Sequence, residues 1–291
     1  MLKTRVISAI VGLILIIGTI VISKETFSIA VFLLALVGIH EYYSSMNNIG
    51  LKPIKPVGYF ASLVILLAGN GDWLLAKISK PELFINSHSY DAGSISKEGA
   101  AILFVIFIFT FFLFAISVFK FGKYNVTDIS ITLYGIFYVI FLFLFAVLTR
   151  NLEHGLFYIW FVLIGAWSTD TSAYFIGRKF GKKKLAPLLS PNKTIEGSIA
   201  GVIGSIAGVA IYGIYLQKYL SHVPFYHYII IGLLCGIISQ VGDLVASSIK
   251  RYTKVKDFGK IIPGHGGVLD RFDSVLLTTP VIYFYIITFM L

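Results

Sequence analysis

Cysteine, acid and charge in general are what this chain has little of. Its one cysteine, Cys235, sits inside an apolar run, which excludes an internal disulfide and any metal site built on cysteine. Only 13% of its 291 residues are charged, against about a quarter in an ordinary soluble domain, so water is the wrong solvent for most of it. Acids number 14 against 24 basic residues, a formal charge of +10. A surplus of that sign suits nucleic acid or anionic lipid. In a chain this apolar, cations at the cytoplasmic ends of spans and near lipid headgroups account for it, and no nucleic-acid partner is expected.

What the chain does have is grease in long runs: 57% of it is hydrophobic. "VISAIVGLILIIGTIVI" and "AAILFVIFIFTFFLFAISVF" both reach the roughly 17–25 residues that cross a bilayer as a helix. The first exceeds the roughly 7–15 residues of a signal-peptide core and no small-residue cleavage site follows before Lys24, so a retained span is expected. The fold class expected is all-α, a polytopic membrane protein with about nine spans near 6–22, 27–45, 57–76, 99–119, 130–149, 156–176, 197–216, 226–249 and 274–291. With a cytoplasmic N-terminus, 18 of the 24 basic residues fall on the inside, among them six from Arg178 to Lys193 and six from Lys250 to Arg271. That is the bias the positive-inside rule demands. It puts the two richest polar loops, 177–196 and 250–273, on one cytoplasmic face. Residues 1–150 are then an N-terminal set of spans and 151–291 a C-terminal catalytic region. The Ser-rich loop 77–98, on the outside, is expected to be connecting structure.

Two aspartates stand where charge is costly. Asp170, in "GAWSTDTSAYFIGRKFG", and Asp243, in "SQVGDLVASSIKR", each lie near the cytoplasmic end of a span. An ionised carboxylate there needs a partner, a metal or water. Helical spacing puts Asp243, Ser247 and Lys250 on one face, and Asp170, Tyr174 and Gly177 on another. Both stripes are expected to line a polar cleft. The loop after Asp170 ends "SPNKTIEG", where Thr194 as N-cap sets Lys193 beside a helix start, an arrangement suited to phosphate; ordinary helix starts also read this way. The loop after Asp243 brings Gly264, Gly266 and Gly267, then Asp270 and Asp273 three apart. Carboxylates among clustered cations suit a hard divalent cation such as Mg²⁺ with phosphates, and His265 suits a hydrogen-bonding role better than a ligand's.

The stretch "SSIKRYTKVKDFGKIIPGHGGVLDRFD" resembles the signature of the phosphatidate cytidylyltransferases, also called CDP-diacylglycerol synthases. That pattern runs Ser-x-apolar-Lys-Arg, Lys-Asp, Pro-x-His-Gly-Gly and Asp-Arg-apolar-Asp. Here it is filled by Ser247, Lys250, Arg251, Lys256, Asp257, Pro263, His265, Gly266, Gly267, Asp270, Arg271, Phe272 and Asp273. The resemblance extends over roughly 165–275, with Asn192 standing where the family usually has a lysine. It implies transfer of the cytidylyl group of CTP to phosphatidate with one or two Mg²⁺ ions, at a cleft on the cytoplasmic face of the cell membrane. With the chemistry, it assigns Asp243 and Asp270 as main metal carboxylates, supported by Asp273, with Lys250 and Arg251 in the catalytic set. Ser190, Lys193, Thr194, Asp170, Lys256, His265, Gly266, Gly267 and Arg271 are assigned to substrate. A homodimer is a further expectation. The alternatives are a CTP-dependent enzyme acting on another lipid, such as a CDP-archaeol synthase or a polyprenol or phytol kinase, and, more remotely, an ion-coupled transporter.

Overall fold

The computed structural model describes residues 2–78 and 97–291, so the middle of the expected loop 77–98 lies outside the described residues. The chain is helical almost throughout. In order come α1 (Leu2–Ile22), α2 (Lys24–Asn47), α3 (Lys55–Ala61), α4 (Leu63–Ile78), α5 (Lys97–Phe119), α6 (Val126–Gly135), a π-helical turn (Ile136–Phe141), α7 (Leu142–Asn151), α8 (Gly155–Phe180), α9 (Ile195–Leu216), α10 (Tyr226–Tyr252) and α11 (Leu269–Phe289). A two-stranded hairpin, β1 (Lys184–Ala186) and β2 (Ser190–Thr194), separates α8 from α9.

Each expected span coincides with helix, in two places with a twist. The third is broken at Ser62 into α3 and α4. The fifth is one long helix, Val126–Asn151, whose middle turn is π-helical. Among the described residues, six helices are long and apolar enough to cross a membrane. α8 is not one of the six; Ser168, Thr169, Asp170, Thr171 and Ser172 follow one another in its second half. Exposed apolar side chains run in rows four residues apart, such as Ile229, Leu233, Ile237 and Val241 on α10. That spacing is one face of a helix, suited to lipid.

α8, α9 and α10 pack most closely, because small residues let their backbones approach. A Cβ on Gly204 of α9 would lie 2.5 Å from Ser172 Cβ and 3.1 Å from the Ser168 carbonyl of α8. On Gly232 and Gly236 of α10 it would lie 2.6 Å and 2.8 Å from the Cα atoms of Ile206 and Val202. α11 closes the bundle against α7 and α10. Pro280 within it lacks the N–H that would bond the Leu276 carbonyl. The Thr279 hydroxyl stands in, 2.8 Å from Leu276 O and 2.9 Å from Leu142 O, so the break in one helix also ties it to the next.

Candidate active site

The polar ends of α8 and α10 meet the start of α11. The Ser274 hydroxyl donates to Asp170 Oδ2 at 3.0 Å, joining α11 to α8. Gly242 of α10 faces the Asp273 carbonyl so closely that a Cβ there would sit 2.5 Å from it, which puts Asp243 beside Asp273. The three carboxylates Asp170, Asp243 and Asp273 act on one another through space. Lys193 Nζ pairs with Asp243 Oδ2, and about a quarter of each side chain is exposed. Asp170 and Asp273 have no ion-pair partner among the described residues.

Lys193 reaches Asp243 because the segment expected as a plain polar loop folds into the hairpin. Lys184 pairs with Thr194 and Ala186 with Ser190, and Ile195 N adds a bond to Lys183 O at 2.9 Å. Arg251 Nε donates to Leu189 O at 3.1 Å, holding the hairpin tip against α10. Thr194 is the N-cap of α9, as its position before the apolar run suggests: its hydroxyl accepts from Gly197 N at 3.2 Å. Glu196 in the first turn accepts from Lys182 N at 3.0 Å and Lys183 N at 3.3 Å. The start of α9 is thus built into the hairpin and delivers Lys193 to the acids.

The stripe from Asp170 along α8 does not continue as a cleft lining. Tyr174 is exposed and accepts from Arg178 Nη1 at 3.0 Å, while Gly177 is packed against Thr194 and Gly197. The hairpin covers that face instead.

Asp270 is buried, with its side chain 3% exposed. Its Oδ1 accepts from Lys250 Nζ at 2.9 Å, and its Oδ2 from Phe258 N at 2.8 Å and Gly267 N at 3.0 Å. One carboxylate thereby organises both ends of the loop 253–268. Gly266, at φ +87°, turns the chain so that its carbonyl accepts from Ile262 N at 2.9 Å; a side chain there would meet Asp270 Oδ2 at 3.0 Å. Arg271 Nε donates to His265 O at 2.8 Å, and His265 Nδ1 lies 2.8 Å from the Ser8 hydroxyl of α1. Lys256 is exposed, with no hydrogen-bond or ion-pair partner among the described residues.

Nothing in the sequence marked Glu41 as part of this region. It is buried near the end of α2, and its Oε1 and Oε2 accept from Val268 N and Leu269 N, both at 3.0 Å. A carboxylate bridging the first amides of α11 satisfies donors that a helix start leaves free and favours the positive end of its dipole. Gly259 and Gly267 leave room for it: a Cβ on either would collide with the Glu41 carboxylate. The one available signal was the acid itself, in "HEYYSSM" at the end of an apolar run.

Among the described residues, no group of three or more His, Cys, Asp or Glu is placed to hold a metal ion unaided. A small hard cation does not require one, since Mg²⁺ keeps several waters and is bound by one or two carboxylates plus substrate phosphates. Asp243 and Asp273, adjacent and excess in negative charge, fit that pattern. With Lys193 and Lys250 at hand, the arrangement can bind anions through cations and align two phosphates.

Comparison with known proteins identifies the family of the chain as a whole. A model of the cytidylyltransferase family matches residues 3–289. The chain is 32% identical over 289 residues to a phosphatidate cytidylyltransferase of Bacillus subtilis, covering 99% of this chain and 98% of that one. It is 33% identical over 285 residues to one of Staphylococcus haemolyticus, covering 97% of each. It is 30% identical over 312 residues to one of Synechocystis, covering 97% of this chain and 96% of the other. With end-to-end matches of this kind, the chain, an enzyme embedded in a membrane, belongs to the cytidylyltransferase family.

Proposed function

We propose that the protein transfers the cytidylyl group of CTP to phosphatidate, giving CDP-diacylglycerol and pyrophosphate, with the site open to the cytoplasm. The observation that carries this is the meeting of Asp170, Asp243 and Asp273 with Lys193 at the polar ends of lipid-facing helices. A lipid phosphate and a soluble triphosphate can reach such a place from opposite sides. The names of the curated relatives support the substrate pair.

In this reaction an oxygen of the phosphatidate phosphate attacks the α-phosphorus of CTP. A new P–O–P bond forms, the bond from the α-phosphorus to the α–β bridging oxygen breaks, and pyrophosphate leaves with the electron pair. The attacking oxygen is already ionised near neutral pH, so no general base is needed. Catalysis is alignment and charge neutralisation. Asp243 and Asp273 would hold Mg²⁺, which would supply Lewis-acid stabilisation of the phosphate charge. Lys193 leaves Asp243 to meet a phosphate when substrates bind. Asp270, expected above as a main metal carboxylate, has its oxygens engaged by Lys250, Phe258 N and Gly267 N, so in this reading Asp273 takes its place beside Asp243. Lys250 and Asp270 hold the glycine loop, and Arg251 fixes the hairpin. Ser190, Thr194, Lys256, His265, Gly266, Gly267 and Arg271 shape the surrounding surface for the nucleotide.

The test is incubation of purified protein with phosphatidate and labelled CTP, with and without Mg²⁺. Labelled CDP-diacylglycerol that appears only with metal is the expected result. Folded protein giving no labelled lipid under either condition rules the reaction out.

A further inference from the structure

Tyr138 lies in the π-helical turn Ile136–Phe141, is 6% exposed, and its hydroxyl has no hydrogen-bond partner among the described residues. Buried polar groups are normally paired, so an orphan of this kind calls for an explanation. Its surroundings supply one. Asp273, Asp243 and Asp270 all act through space on this hydroxyl, yet none is within hydrogen-bond distance. The turn and the start of α11 meet at Gly38 of α2, where a Cβ would touch Val139 and Leu269, each at 3.1 Å. The tyrosine ring is held from behind by Tyr42 and Tyr134, with centroids 6.2 Å and 6.1 Å away.

The π turn explains how the side chain comes to point there. One extra residue in a helical turn swings the following side chains round the axis, and such turns concentrate at functional sites. Tyr138 is also twelve residues into the helix Val126–Asn151, about 18 Å along it, so it approaches the acids from within the bundle. A phosphate brought among three carboxylates needs donors that complement it. A neutral hydroxyl provides one without trapping the phosphate as a further fixed cation would.

We infer that the Tyr138 hydroxyl donates a hydrogen bond to a phosphate oxygen of substrate seated among Asp170, Asp243 and Asp273. Tyr138 is thus a further substrate-positioning residue, and this rests on the phosphate-transfer reaction proposed above. The acceptor belongs either to the phosphatidate headgroup or to the CTP triphosphate.

Tyr138→Phe removes the donor and keeps the ring. The full chain in detergent–lipid micelles is measured three ways: melting without substrate, kcat and KM for each substrate, and the rise in melting temperature with short-chain phosphatidate or Mg–CTP alone. The free variant is expected to melt at or above the wild-type temperature, because no protein bond is lost. Its kcat/KM is expected to fall about tenfold, the worth of one hydrogen bond. A higher KM and a weaker thermal response confined to phosphatidate assign the acceptor to the lipid. The same pattern confined to CTP assigns it to the nucleotide. Tyr158→Phe removes a second buried, unpartnered hydroxyl that lies elsewhere, and is expected to leave the kinetics unchanged.

Wild-type kinetics in Tyr138→Phe, beside a wild type that turns over, overturn the inference and leave the reaction standing. A lower melting temperature of the free variant also overturns it, since the hydroxyl then had a protein partner. A wild type that neither turns over nor responds to either ligand removes the reaction and this contact together. If the wild type binds without turning over, the thermal responses alone decide.

Discussion

Glu41 and Leu269 lie 228 positions apart in the chain, yet the Leu269 amide donates to the Glu41 carboxylate at 3.0 Å. With the companion bond from Val268, this carboxylate sets where α11 begins and hence where Asp270 and Asp273 point. Glu41→Gln leaves one oxygen to serve two amides and turns an NH₂ donor toward the other. The expected cost is about 1–3 kcal/mol, that of an unsatisfied buried donor. Activity should fall with it. Thermal unfolding in detergent and turnover check this together; wild-type values for both would show that the helix start is held by other means.

The ion pairs Lys193–Asp243 and Lys250–Asp270 are expected to respond differently to loss of the acid. Asp243→Asn, in the pair that is about a quarter exposed, should lower turnover 100-fold or more, on the order of losing one charge-stabilising contact through the metal it would hold, with little change in melting. Near-wild-type turnover would remove Asp243 from the mechanism.

Asp270→Ala is the opposite case. It leaves the Lys250 ammonium and the amides of Phe258 and Gly267 without their acceptor in a buried place. Removing one partner of a buried pair costs about 3–5 kcal/mol. The expected outcome is a protein that loses stability first and activity as a result, and limited proteolysis within 253–268 should report the opened loop.

Gly204→Leu tests the close packing of α8 on α9. The new side chain meets Ser172 and the Ser168 carbonyl, so overpacking of about 1–3 kcal/mol is expected. Because Asp170 lies on α8 and the strand carrying Lys193 leads directly into α9, KM for CTP should rise as well. Unaltered melting would show that the helices part without penalty.

Chelation of divalent metal is expected to stop turnover without unfolding the protein, and added Mg²⁺ to restore it. No three-ligand cage exists among the described residues whose loss would unfold the chain. Unfolding on chelation alone would indicate a structural ion instead.

The membrane architecture was legible because a bilayer imposes length and hydropathy on every span, and both are read one segment at a time. Asp243 stood out because it is a charge near the end of an apolar span, and Asp270 and Asp273 because carboxylates and glycines crowd into one short stretch. Other features had no such signature. Glu41 at the end of a span looks like any solvated acid until an amide from the far end of the chain meets it. The π turn at Ile136–Phe141 adds one residue to an apolar run, which leaves hydropathy untouched. The hairpin that carries Lys193 is too short to alternate visibly, and its lysines read equally well as topology anchors.

The bond from Ser274 to Asp170, and those from Val268 and Leu269 to Glu41, bear on the order in which the protein is made. Glu41 belongs to α2 and Asp170 to α8, and the donors of both belong to the start of α11. Until α11 emerges Glu41 and Asp170 lack these donors, while Asp243 can take Lys193 at once. The arrival of α11 is then the event that locks the bundle, because it brings the donors of both carboxylates in one step.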